Sequence, residues 1–585
     1  HDPQAVELAL HELALKELVR PARQSSMEGE SEYGFWHLLV RDVAYAQIPR
    51  AERARRHRSA AIWIERKAGE RVEDLAEVLA YHYLQALELA EAAGETTEAE
   101  ELRAPARHFL ALAGERALGL DTKQAEARLS RALELTVDED PDRLDLLVRW
   151  ADAVYQAGDF RKSADILEQA LASLRARGET EASAQALQLQ SRIALRRGEG
   201  RSVPLAAEAI ELLEQGKAGP ALVAAYEQLA NAQAITGAYP KAIAAANRAR
   251  ELAETLGILP PARALGYHGY ARAYLGDPDG LAEMEKAHAL LVERGSGQDA
   301  AFQQNNLAIA RYPLQGPAPS LAAFEEGIAF CVDRGLAGPA AMLEANCPAL
   351  LIELGRPNEA LELASRLAVE LEASGNAQDL CEVRASEVLL RLARGEDVAP
   401  DEAEWLIDTA RAIGSADTSV FALSTAARAL VSEAQQSSRA LLAELDSVSG
   451  SRETPYYGRA LPTLIRTALL AEDRALAEHL VEGIKARYPL DEHALCAARA
   501  QLAEAAAEHA LAADLYAEAA ERWCKFGNVP ERAYALLGQG RCVFGANKPE
   551  AEEPLRAAQA LFKSMGYRPA LDETEALLDR AAVAG

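Results

Sequence analysis

Apolar residues recur along this chain at three- and four-residue intervals, the spacing of helices that each bury one face. The runs are punctuated by glycine at regular distances. Glycines that close one apolar run and precede the next fall at Gly158, Gly198, Gly237, Gly276, Gly316, Gly355 and Gly395, with spacings of 40, 39, 39, 40, 39 and 40. A register held over seven units is an internal repeat, and a repeat governs the fold before any single motif does. Each glycine stands where a first helix stops and the chain turns back, because glycine takes the positive φ of a helix C-terminus without steric cost. The unit is therefore predicted as two antiparallel helices. Weaker turns, mostly without glycine, are expected near Leu120, Ala434, Glu472, Ala507 and Ala546. Together these make about twelve helical pairs, with atypical terminal repeats that cap the exposed ends.

Large and small residues alternate around the turns. Leu147, Trp150 and Ala151 precede Gly158, and Phe160, Leu167 and Ala170 follow it; Tyr226, Leu229 and Ala230 precede Gly237, and Tyr239, Ala242, Ala246 and Ala249 follow it. An aromatic or leucine side chain from one helix fills the notch left by alanine on its neighbour, which brings helix axes to about 8–10 Å. This pattern resembles the tetratricopeptide repeat. The usual period of that family is about 34 residues, so the longer unit implies roughly one added helical turn and a longer loop, similar to the long units of bacterial regulatory ATPases. The expected fold is all-α: a right-handed superhelical solenoid of tetratricopeptide type, with repeats over 71–445 and further repeats and a cap over 446–585. The segment from Asp446 to Tyr457, with Ser447, Gly450, Ser451 and Pro455, is expected to be an irregular connection and a hinge.

Residues 1–70 do not share the period. A helix is expected from about Ala5 to Leu18, followed by Glu17-Leu-Val-Arg-Pro, a polar break from Gln24 to Ser31, Glu32-Tyr-Gly-Phe-Trp, and a helix starting near Leu38. Helix, strand, polar wing and strand make the back half of a winged helix. The run Phe35-Trp36-His37-Leu38-Leu39-Val40-Arg41-Asp42-Val43-Ala44-Tyr45, followed by Arg50, Arg53, Arg56 and His57, resembles the segment joining ATPase to repeats in bacterial STAND signalling ATPases, of the MalT-like or adenylate-cyclase-associated type. Near the C-terminus, Trp523-Cys524-Lys525-Phe526-Gly527, the stretch Ala533 to Arg541, Pro554-Leu-Arg-Ala-Ala and Leu561-Phe562 through Gly566 fit the same group. The resemblance covers nearly the whole chain. It implies an upstream ATPase domain of the same polypeptide that uses ATP and ADP, and for His37 and Arg41 an interdomain, nucleotide-sensing role. The alternative for this pair is simple pairing with carboxylates between the wing and the first repeat. The basic run Arg50 to Arg58 reads as a solvated or interdomain helix face. No GxxxxGK[ST] loop occurs, so this chain is not expected to hold a nucleotide itself, and its start at His1 reads as that of a piece of a longer protein.

Composition narrows the partners. Apolar residues make up 49% but aromatics only 5%, the vocabulary of closely packed helices, and 62 Lys+Arg against 90 Asp+Glu give a net charge of −28. That charge repels a phosphate backbone, so nucleic acid is not expected on the repeats. No apolar run reaches the length of a membrane span, and a cytoplasmic protein is expected. Six isolated cysteines and eleven scattered histidines form no metal-ligand spacing, and the absence of GxSxG, HRD or DFG motifs argues against an enzyme. The first helix of each pair is expected to face inward and carry recognition, through Arg192, Glu227, Asn231, Tyr270, Gln303 and Asn306. Amide side chains there suit an extended peptide and tyrosine adds contact area, so a protein or peptide, or a small-molecule inducer, is the expected partner. The leading functional expectation is the sensor and autoregulatory region of a STAND ATPase. A free-standing scaffold for protein assembly and the sensor arm of a transcription regulator stand as alternatives.

Overall fold

The structure, a computed structural model, describes residues 3–22, 25, 30–118, 121–197, 199–545 and 551–584. The chain forms two compact units, one running from the N-terminus to Trp150 and the other from Ala151 to the C-terminus, with Asp121 and Thr122 belonging to the second.

In the first unit a helix over Pro3–Leu15 leads into two short antiparallel strands, Val19–Pro21 and Tyr33–Phe35, paired with Val19 opposite Phe35. The helix–hairpin order expected from the sequence is present. Part of the polar break between the strands, at 23–24 and 26–29, lies outside the described residues. A helix over Leu38–Ala46 follows, then Arg50–Ala68, Ala76–Ala93 and Thr96–Ala117, which pack as consecutive antiparallel neighbours. Their shared interior is built by Ala54, Ala61, Leu79, Leu87, Leu102 and Leu110. Tyr83 stacks on Phe109 at 5.4 Å and donates its hydroxyl to Glu65 at 2.7 Å.

The second unit is an all-helical tandem array of tetratricopeptide type. Helix pairs follow one another as Pro220–Ile235 with Tyr239–Leu256, Ala262–Tyr274 with Asp279–Glu293, and Gly297–Gln315 with Pro317–Val332, and the order continues to the C-terminus. Gly158, Gly237, Gly276, Gly316, Gly355 and Gly395 all take positive φ within the turns of these pairs; Gly198 lies outside the described residues, as do Leu120 and Ala546. Ala434 caps the helix Gln435–Ser447, and Glu472 and Ala507 turn the chain at φ 58° and 61° without glycine. A second glycine series, at Gly257, Gly295, Gly335, Gly375 and Gly414, also has positive φ and ends the second helix of each pair. Sequence reasoning followed only the first series, although the two interleave at the same period. The alanine notches Ala242, Ala246 and Ala249 are fully buried.

The array coils until remote repeats touch. Gly158 abuts Gly338, Gly276 abuts Arg487, Gly316 abuts Phe526, Gly355 abuts Val529 and Gly395 abuts Pro569. Tyr488 donates its hydroxyl to the carbonyl of Tyr274 across a sequence separation of 214 residues. The inner helices are thereby closed over an axial space. The 446–457 segment is an irregular connection between Gln435–Ser447 and Pro455–Leu470, tied by side-chain contacts. Arg452 pairs with Asp446 at 2.7 Å and donates to the carbonyls of His479 and Glu482, while Tyr457 donates to Asp446 and to the carbonyl of Leu480.

Two turn glycines separate backbone strain from crowding. Gly316 lies at φ 96°, ψ 179°, and a Cβ there would collide with the carbonyl oxygen of Phe526. Gly257 lies at φ 65°, ψ 27°, with open space around it. Gly257→Ala is expected to cost about 1 kcal/mol, the ordinary penalty of left-handed backbone. Gly316→Ala is expected to cost about 3 kcal/mol or more, because strain and collision add. Denaturant midpoints of the two variants check the order, and equal losses would show that the inter-repeat contact is not tight.

Candidate ligand-binding cavity

The coil of the second unit forms a cavity of about 110 Å3 that opens to solvent, room for a side chain or a small ligand group. Its wall is made mainly by first helices of successive pairs, and one inward position repeats each turn of the array. Arg192, Asn231, Tyr270 and Ile309 all line it, each 39 residues after the last, as do Arg196, Ile235 and Tyr274 at the same interval. The repeat therefore stacks equivalent side chains into columns.

Of the six inward residues named from sequence, Arg192, Asn231, Tyr270 and Asn306 meet at this cavity. The other two turn to structural contacts. Glu227 accepts a hydrogen bond from the backbone N–H of Ala264 at 3.1 Å, holding the first turn of the following helix. Gln303 is buried against Gly266, where no side chain intervenes, and donates to the carbonyl of Met284. In the first unit, His37 and Arg41 are exposed. The carbonyl of His37 receives the N–H groups of Val40 and Arg41 at the start of Leu38–Ala46, and Arg41 pairs with its neighbour Asp42 at 2.7 Å.

The cavity carries opposite charges on two walls. On one, Arg192 lies 3.2 Å from Asp152 and over the ring of Tyr155, and Arg263 lies 3.5 Å from Asp299 and donates to Gln228. Arg196 has its guanidinium over Phe302 at 4.8 Å, so an aromatic face covers it where a carboxylate pairs the other two. On the other wall stand Asp379 and Glu382 from Ala377–Arg394 and Asp417 from Ala416–Leu430. Asn376 donates to Asp379 at 2.5 Å and Thr454 hydrogen-bonds Asp417. Among the described residues none of these three carboxylates forms an ion pair. Between the walls run the amides Asn231, Asn305, Asn306 and Asn346, with Asn346 donating to Asn305 at 3.4 Å. Tyr270 and Tyr274 stack at 4.3 Å on the same side as Tyr456.

Burial, more than the fields of Arg459 and Arg196, sets the protonation of the acidic wall. Burial, reinforced by Asp379 and Asp417 and opposed by Arg459, pushes Glu382 up to about 8. Burial also pushes Asp417 up to about 6, against the hydrogen bond from Thr454, and raises Asp379 against the field of Arg196 and the hydrogen bond from Asn376. A second chamber of about 200 Å3 lies further along the same coil, lined by three arginines and two glutamates. Arg459 pairs with Glu353 at 2.5 Å, Glu353 also accepts from Tyr312, and Arg466 pairs with Glu531 at 2.8 Å. Arg428 lines that chamber without an ion pair among the described residues, so the unmatched charge there is basic, whereas in the first cavity it is acidic.

Sequence reasoning missed Arg196, Arg263, Asp379, Glu382, Asp417 and Tyr456. The 39-residue columns could have led from Arg192 to its neighbours. Nothing local distinguishes the three carboxylates from the many glutamates and aspartates of helix surfaces. Among the described residues no group of three His, Cys, Asp or Glu side chains is placed to hold a metal ion, and no helix is long and apolar enough to cross a membrane.

No protein-family model and no curated protein matches this chain. Among solved structures, similarity is found to a STAND protein with a tetratricopeptide repeat sensor from Pyrococcus horikoshii, at 15% identity and a TM-score of 0.34, over 68% of this chain and 57% of that one. This chain thus spans little more than half the length of that protein. Yeast Tom70 is similar at 14% identity and a TM-score of 0.34, over 76% of this chain and 96% of that one. The Cut9 assembly with Hcn1 from the APC/C is similar at 12% and 0.34, over 81% and 95%. None of these likenesses reaches a TM-score of 0.5, and the fold stands on the helix pairs themselves.

The acidic wall gives a pH signature. Glu382 binds its proton more tightly in the folded chain than in the unfolded one, so its contribution to stability is complete below the ordinary glutamate range and is lost as pH rises towards about 8. Glu382→Gln removes that loss. The melting temperature of the variant minus that of the wild type should therefore grow between pH 5 and pH 8. A difference that stays flat over this range would show that Glu382 titrates as an exposed glutamate does.

Proposed function

We propose that this chain is a non-catalytic, ligand-binding sensor arm that takes an extended peptide, or a small ligand with comparable amide chemistry, into the first cavity of its coil. It would control an upstream nucleotide switch of STAND type. The observation that carries the binding reading is the cavity itself: amides from four positions line a space whose two ends carry opposite charge. Asparagine side chains offer a donor and an acceptor each, the complement of a peptide backbone, and the rigid helices that hold them lower the ordering cost of binding. The sensor role is supported by the residues around His37 and by the C-terminal signature, which resemble that group of ATPases. The helix–strand–strand order at the N-terminus supports a winged-helix remnant there, the element through which occupancy would reach the switch. ATP or ADP would belong to the upstream domain, and the free-standing scaffold is the alternative that has no such domain.

A pool of biotinylated, acetylated random hexapeptides, titrated against the full chain, tests the binding reading. Saturable binding is expected, and Asn231→Ala, Tyr270→Ala and Asn306→Ala combined should weaken it by about tenfold or more, as loss of several central contacts does. Binding that is unchanged in the triple variant would remove the cavity from consideration. For the regulatory part, the longer chain encoded in frame should contain a phosphate loop, and its nucleotide turnover should change when the pool is added. A reading frame without such a loop would overturn the sensor-arm reading.

A further inference from the structure

The two ends of the cavity are not equivalent. At the basic end two of the three arginines are matched by Asp152 and Asp299. At the other end Asp379, Glu382 and Asp417 come from two consecutive inner helices and act on one another electrostatically, and no lysine or arginine pairs with any of them. The two cations nearest by field are engaged elsewhere. Arg459 is held by Glu353 and Arg196 lies over Phe302. Three carboxyl groups brought together without an ion-pair partner are costly to bury, and beyond the bonds from Asn376 and Thr454 they leave acceptor capacity facing the cavity.

An independent feature points to the missing partner. Tyr274 is 2% exposed, lines this cavity and the space beside it, and its buried hydroxyl has no hydrogen-bond partner of good geometry, only the hydroxyl of the stacked Tyr270 near it. Unsatisfied buried polar atoms are uncommon in folded proteins and call for an explanation. Tyr270 stacks on Tyr274, and Tyr456 comes from a helix far along the chain to the same wall. Aromatic rings beside carboxylates are the surroundings that stabilise an organic cation, through ring faces and charge-assisted hydrogen bonds.

We propose that this end of the cavity is a cation site, which takes the alkylammonium or guanidinium group of a lysine or arginine side chain in the bound peptide. The proposal rests on the ligand-binding reading above and names the chemistry of its ligand. An ammonium carries three donors and a guanidinium five, with no acceptor on either, which matches a wall that offers carboxyl oxygens and a tyrosine oxygen. A metal ion fits less well, because among the described residues no three such groups converge closely enough to hold one. Arg196, which forms no ion pair among the described residues and lies within the field of Asp379, suits a carboxylate close to the cation of the same ligand.

Two probe series test this on the full chain by titration calorimetry. The first is the peptide acetyl-Ala-Ala-Lys-Ala-Ala-amide with norleucine and with glutamate in place of lysine; the second is n-butylammonium against the uncharged n-butanol. The lysine peptide is expected to bind at least tenfold more tightly than the norleucine and glutamate peptides, and n-butylammonium more tightly than n-butanol. Glu382→Gln with Asp417→Asn should abolish both preferences, with Asp417→Asn alone as the milder variant should the double one fail to fold. Equal binding of the lysine and norleucine peptides would overturn the cation site and leave the peptide reading standing. Binding of n-butylammonium that the double variant loses, without binding of any peptide, would overturn the peptide reading and leave the cation site. Preferences that survive in the double variant would place the cation elsewhere, and binding of neither series would remove both.

Discussion

Remote repeats of the second unit meet backbone to backbone at the turns between helices, and this contact sets what the rest of the coil can do. Where Gly316 faces the carbonyl of Phe526 there is no room for a Cβ. The coil could close less tightly only by giving up such contacts, and the inner helices would then face open water. Because it closes, polar side chains that a looser superhelix would leave solvated are enclosed together, and their charges act over short distances in a medium less polar than water.

That enclosure explains why chambers with similar residue types differ chemically. In the chamber of Arg459 and Arg466 those two guanidinium groups each have a carboxylate, and Arg428 is left as a third cation without an ion pair among the described residues. In the first cavity the acidic residues outnumber the available cations, and burial shifts protonation equilibria. A half-buried carboxyl without an ion-pair partner lowers its cost by keeping its proton, the direction in which Glu382 is pushed. The cavity is consequently poised: a ligand that brings positive charge also changes the protonation of the wall.

The two inward residues that turned to structural contacts follow from the same geometry. Glu227 reaches the backbone N–H of Ala264, so a side chain read as recognition from its face of the helix is spent on joining two repeats. Gln303 fills the space left by the missing side chain of Gly266. Both belong to helices that face inward, but a helix face is wider than the cavity, and its edges contact the neighbouring helix. Period and face alone cannot separate the centre of a face from its edge.

The sequence by itself determined the helix pairs, the 39- to 40-residue unit, the positions of the described turn glycines and the burial of the alanine notches, because each depends on residues close together in the chain. It also pointed to Arg192, Asn231, Tyr270 and Asn306 on the inner side. Only the tertiary structure decided that the coil closes on itself, that the 446–457 connection is stapled by Arg452, and that Asp379, Glu382 and Asp417 share one wall with Tyr274 and Tyr456. Those relations join repeats far apart along the chain, and they depend on the small rotation accumulated at every repeat, which no local pattern of residues encodes.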